Sequence, residues 1–118
     1  MKNYVNTLSL MLHACDLSNP AKPWKTYHSW YIRIMEEFFA QSAKEVELKI
    51  PVTLPLRETC LVDQFQIGFI RFIKPYFVAL GRVPGLDLSE QVLNLEANEK
   101  KLIELHSFLI SGNKFTKA

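Results

Sequence analysis

Apolar residues fall into blocks separated by breaks that contain proline or glycine. Leu8, Leu10, Met11, Leu12 and Ala14 form the first, a short run that stops at Asp16-Leu17-Ser18-Asn19-Pro20. Asn before Pro is biased away from helix, so a first helix is expected to end near Asp16. After Pro20 and Pro23, Tyr27, Trp30, Tyr31, Ile34, Met35, Phe38 and Phe39 recur at steps of three, four, seven and eight. That is the pattern of one helical face and predicts a helix over about residues 24 to 40, which Lys44 to Lys49 can prolong. Ile50 to Leu56 carries Pro51 and Pro55 and cannot be helix interior, so residues 50 to 60 read as a loop.

From Leu61 to Leu80 the apolar residues Val62, Phe65, Ile67, Phe69, Ile70, Phe72, Ile73, Tyr76, Phe77 and Leu80 surround nearly the whole circumference. Such a helix is expected to be buried on most sides, with a kink at Pro75. Gly81 to Gly85 reads as a loop, and Asp87 with Glu90 as a capping pair for a final helix to about Leu109. The tail over 110–118, including Ser111 to Lys114, is expected to fray. Strand alternation, internal repeats and low-complexity tracts are absent, so the fold class is all-α. Four helices barely cover a central one that is apolar all round. Two explanations stay open: helices that this sequence lacks, or a homodimer burying the same surface.

Composition narrows the function classes. Lys and Arg exceed Asp and Glu by 14 − 12 = 2, with signs interspersed, which provides no basic stripe for a nucleic-acid duplex. No apolar run reaches the roughly 18 to 20 residues that span a bilayer, and MKNYVNTLSLML lacks a small-residue cleavage site, so no membrane span and no secretion signal are expected. Cys15 and Cys60 make neither a disulfide framework nor a CxxC metal pair; a reducing cytoplasm is the expected location.

The chemistry in the residues themselves is sparse. Asp16 follows His13 by three on one helical face, a pair that could in principle hold a divalent metal, although two ligands do not make a site and a carboxylate at a helix end or turn is the more common role. There is no HExxH, GxSxG, phosphate-cradling glycine loop or zinc-knuckle spacing. His28 and His106 lie in charged helical patterns and read as exposed. Gln66 and Phe69 share a face of an otherwise apolar helix, where the amide could also serve only to bond a loop carbonyl.

Larger blocks carry more. His13-Ala14-Cys15-Asp16-Leu17-Ser18-Asn19-Pro20-Ala21-Lys22-Pro23, then Trp30 and Ile34-Met35-Glu36-Glu37-Phe38-Phe39, then Gln66-Ile67-Gly68-Phe69-Ile70 resemble, in order and nearly in spacing, the C-terminal part of the class I 3',5'-cyclic nucleotide phosphodiesterase catalytic domain. The resemblance runs from about Leu8 to Leu105 and implies the C-terminal helices of that all-α domain.

It also implies a complete domain with two divalent cations, zinc and magnesium or manganese, whose bridging hydroxide attacks the cyclic phosphate of cAMP or cGMP. By position, Asp16 matches a metal ligand and Gln66 the glutamine that pairs with the purine edge. Phe69 matches the aromatic that stacks on the base, Ile34 the aliphatic wall opposite it, and Asn19 a further base-side residue. Trp30, Tyr31, Met35, Phe38 and Leu56 match pocket-lining or supporting positions. The family's HNxxH block, its HD pair and its catalytic histidine are absent, so the chain corresponds to roughly the last third of the domain and is expected to be inactive alone. Ser42-Ala43 stands where family members usually carry Gly-Asp, Tyr31 where Thr is common, and the segment between Pro55 and Gln66 is shorter and lacks its usual aspartate. The alternative reading is an inactive helical module retained for binding or dimerisation.

Overall fold

The computed structural model describes residues 2–116, and every long element in them is helical. Helix α1 spans Lys2–Asp16, α2 Trp24–Glu47, α3 Val62–Leu80 and α4 Ser89–Thr116, with a short 3-10 turn at Asn19–Ala21. α3 and α4 form the central antiparallel pair: Gln64 meets His106, Arg71 meets Glu99 at 2.8 Å and Lys74 meets Glu96 at 3.2 Å. Numbers rise along one helix as they fall along the other. These contacts lie near solvent, where an ion pair adds at most about 1 kcal/mol, so they fix register more than stability.

Stability comes from the stripe they flank. Ile67, Ile70, Ile73, Phe77 and Leu80 of α3 pack with Leu95 and Leu102 of α4 and with Tyr27, Tyr31, Met35 and Phe39 of α2. The Asn19–Ala21 turn joins this core through Ala21 and is fastened to α4. Asn98 donates to the carbonyls of Pro20 and Lys22, and Asn94 to that of Ala21.

α2 ends in a Schellman motif: the Ile50 N–H donates to the Glu45 carbonyl and the Lys49 N–H to that of Val46, with Lys49 at φ 57°. Lysine thus holds the left-handed position that usually goes to glycine. Asp87 opens α4 by accepting hydrogen bonds from the Ser89 N–H and hydroxyl.

One expectation needs correction. α3 is not buried on most sides: it buries one stripe and leaves Phe72 78% exposed, because no other described element packs on that side. α4 is helical through Thr116, past the end expected near Leu109. Gly112 alone costs a helix only about 1 kcal/mol relative to Ala, too little to stop it without a proline. Residues 117–118 of the expected tail lie outside the described residues. α3 runs through Pro75 as a single helix.

Packing is open. The chain exposes 8742 Å², whereas a compact monomer of 13.7 kDa exposes about 6600 Å². Its radius of gyration is 17.4 Å against the about 13.5 Å typical of this length. Much of the excess is apolar: Tyr4, Val5, Leu8 and Leu12 of α1 and Phe108 and Leu109 of α4 are at least half exposed. No described helix is long and apolar enough to cross a membrane.

Candidate functional site

A cavity of about 550 Å³ opens where the end of α1, the 3-10 turn, one face of α2 and the first turns of α3 converge. The chain builds that convergence locally. Ser18 closes the end of α1 by donating its hydroxyl to the Cys15 carbonyl at 2.7 Å. Pro20 and Ala21 then bury under α4, and Pro23 leads directly into α2. Asp16 and Asn19 therefore stand beside the Trp30, Ile34 and Phe38 stripe of α2. Phe65, Gln66 and Phe69 enter from α3, with Phe38 and Phe65 edge to face at 6.2 Å.

Asp16, Asn19, Trp30, Ile34, Phe38, Gln66 and Phe69 thus share one lining. Tyr31 and Met35 do not. They sit on the neighbouring stripe Tyr27-Tyr31-Met35-Phe39, which faces the core and leaves them 5% and 2% exposed. Leu56 lies in a separate hollow with Phe39, Ser42 and Arg57, because the segment after α2 turns away from the cavity beyond Leu54. Cys15, Lys22, Leu54 and Phe65 are among the lining residues that were not anticipated. Phe65 had a signal, since it precedes Phe69 by one helical turn; Leu54 in an irregular segment had none. His28 and His106 are half-buried rather than exposed. His28 stacks on Trp24 at 5.3 Å, and His106 is hydrogen-bonded to Gln64.

Gln66 is 4% exposed, and its Oε1 accepts from the Tyr27 hydroxyl at 2.7 Å, a side-chain partner rather than the loop carbonyl considered from sequence. Burial, together with Tyr31 and Asp63 nearby, pushes the Tyr27 phenol well above its ordinary value. Burial, with Asp63 adding to it, also pushes Tyr31 up to about 12. Tyr27 therefore stays a donor across the physiological range and fixes which end of the Gln66 amide is the acceptor. Asn19 Oδ1 is buried and lacks a hydrogen-bond partner among the described residues. A buried acceptor left without a donor costs about 1 to 3 kcal/mol.

A metal centre is a different matter. Two-cation chemistry needs several carboxylate or imidazole ligands, yet among the described residues no three His, Cys, Asp or Glu side chains converge. Asp16, exposed at the end of α1, is a single carboxylate. These residues by themselves do not fit a divalent ion.

The segment from Leu48 to Leu61 is held against α2 by two carboxylates. Glu45 accepts from Gln41 and from the N–H and hydroxyl of Thr53; Glu36 forms a two-pronged pair with Arg57. Those hydrogen bonds, Gln41's first for Glu45 and Arg57's for Glu36, hold both carboxyls below the usual carboxylate range. A depressed folded value means the stabilisation is complete above the unfolded pKa of about 4.3 and is lost as pH falls through the folded values. Acidification below about pH 4 should therefore release this segment before the helices melt. Amide exchange at Thr53 accelerating ahead of loss of helical circular dichroism checks it; protection that persists until the helices unfold contradicts it.

With the geometry in place, comparison with known proteins defines the class. A family model described as 3'5'-cyclic nucleotide phosphodiesterase matches residues 1–95, and the chain belongs to that family. It is similar, at 43% identity over 90 residues, to the dual specificity calcium/calmodulin-dependent 3',5'-cyclic nucleotide phosphodiesterase 1C of Mus musculus; the match covers 74% of this chain and 12% of that protein. To the corresponding 1B protein of Bos taurus it is 51% identical over 76 residues, 62% of this chain and 14% of that protein. The chain thus spans about an eighth of the length of these relatives.

Proposed function

We propose that this chain supplies the purine-binding wall of a 3',5'-cyclic nucleotide phosphodiesterase site. The observation that carries the reading is the shared lining of Gln66, Phe69, Ile34 and Asn19 around one largely apolar cavity. A flat base needs apolar faces above and below and polar groups at its edge. Phe69 and Ile34 supply the faces. Gln66, its oxygen held by Tyr27, offers its amide N–H groups at the edge, and Asn19 stands beside it in the same lining. The dual specificity in the relatives' names supports binding of both cAMP and cGMP. In this reading Asp16, at the cavity edge, contributes one ligand to a metal site whose other ligands these 118 residues do not include. This chain's own residues bind and orient the base.

Titration of the chain with cAMP and with cGMP, followed by Trp30 fluorescence or calorimetry, tests the reading. Gln66→Ala should weaken binding by about 1 to 3 kcal/mol, the cost of leaving polar edges unpaired, and Phe69→Ala should weaken it through lost stacking. Unchanged affinity in Gln66→Ala removes the edge contact, and unchanged affinity in Phe69→Ala removes the stacking role.

A further inference from the structure

Leu54 is the one residue of the irregular segment between α2 and α3 that reaches the large cavity. Nothing regular holds it there: the segment lacks helix from Leu48 to Leu61, and Ile50 to Thr53 are exposed. Yet both chain neighbours of Leu54 are fastened to polar side chains buried on the inward stripe of α2. On one side, Thr53 donates its N–H at 2.9 Å and its hydroxyl at 2.8 Å to Glu45. On the other, the Pro55 carbonyl accepts from the Ser42 hydroxyl at 2.8 Å. Ser42 is 0% and Glu45 8% exposed.

Buried polar groups on an apolar stripe cost free energy unless fully paired, and these are paired to the same three-residue stretch. Serine and glutamate one turn apart on a helix point the same way, so a single face of α2 grips Thr53 and Pro55 at once and leaves the side chain between them one course. Tolerance at either grip would let the backbone pivot and Leu54 leave the wall.

We infer that Ser42 and Glu45 are positioning residues for the nucleotide cavity: by gripping Thr53 and Pro55 they fix Leu54 in its wall and so set the space left for the base. The inference rests on the cavity being the base pocket. Neither residue lines that cavity, and Ser42 faces the separate hollow with Leu56 and Arg57, so neither can touch the ligand directly.

The test uses the whole chain with methyl-labelled leucine, in wild type, Ser42→Gly, Ser42→Ala and Glu45→Gln. Without ligand, the Leu54 methyl signals should shift and broaden and Thr53 amide exchange should quicken at least several-fold in each variant, while the Leu95 and Leu102 methyls in the core keep their positions. With ligand, the dissociation constants for cAMP and cGMP should rise about three- to tenfold, as expected for one lost hydrogen bond, and not in equal proportion. Ser42→Thr, which restores a hydroxyl, should recover most of the loss. Leu54 signals at wild-type positions in Ser42→Gly and Glu45→Gln overturn the grip. Displaced Leu54 signals with unaltered affinities overturn its consequence for the ligand. A wild-type chain that binds neither nucleotide, with the Leu54 effects intact, overturns the pocket reading and the affinity claim built on it, and is told apart from failure of the grip by the ligand-free spectra.

Discussion

The purified 118-residue chain should show no metal-dependent hydrolysis of cAMP or cGMP above background, and it should self-associate or bind a hydrophobic dye. The first half follows from ligand number. A hydroxide active near neutral pH needs a cation held by several first-sphere donors, and among the described residues no three such side chains converge; Asp16 alone holds an ion weakly. The leaving O3′ also needs a positioned acid, and no histidine is among the cavity lining.

The second half follows from area. The excess over a compact monomer is 8742 Å² less about 6600 Å², roughly 2100 Å², as much as a substantial protein interface buries in total. α1 is the clearest source, since a 15-residue helix is marginal in water unless its apolar face is covered. Colorimetric turnover assays with added zinc, magnesium or manganese, sedimentation, and dye fluorescence decide it. Chelator-sensitive turnover by a monodisperse, dye-silent sample would falsify both halves and require ligands not recognised in these residues.

Phe77→Ala should cost about 3 to 5 kcal/mol of stability, while Phe72→Ala should cost less than about 0.5 kcal/mol. Both are phenylalanines of α3 five residues apart, and both contribute equally to a helix that looks apolar all round. Phe77 is 2% exposed, against Ile73 and Leu80; Phe72 is 78% exposed. Removing the first leaves a cavity in the buried cluster along the inward stripe of α3. Removing the second takes away surface already in water. Urea unfolding of the two variants measures it, and equal costs would mean that the Phe72 face is covered in solution.

That pair also shows where sequence reasoning stops. Helical periodicity locates Tyr27 to Phe39 and the breaks at Asn19-Pro20 and Pro51, because each is a local property of the backbone. Hydrophobicity around α3 correctly marks a demand for burial. It cannot say whether neighbours exist to meet the demand, and on the Phe72 side no described element does. The lining residues Asn19, Ile34, Gln66 and Phe69 were legible only through the resemblance of whole blocks. Whether Tyr31 and Met35, one residue away from Trp30 and Ile34, line the cavity or support it from the core was left open by the sequence, because adjacent stripes of α2 differ by a rotation that apolar content does not encode; both face the core. The Tyr27 hydroxyl on Gln66 spans 39 residues and the Ser42 grip on Pro55 spans 13. Both depend on how the chain returns, which no local pattern records.

The asparagines of α4 that bind the carbonyls around Pro20 impose an order of assembly. Asn98 lies 78 residues beyond Pro20, so a ribosome adding about 5 to 20 residues per second makes Asn19 and its turn roughly 4 to 16 s before the side chain that locks them. Until then the Pro20, Ala21 and Lys22 carbonyls have only water, and the cavity lacks one fixed edge. The nascent chain thus carries its base-side residues early and gains the fixed form of the turn last. Any product ending before Asn94 would retain every residue of the cavity lining and still lack the fastening that gives the turn its shape.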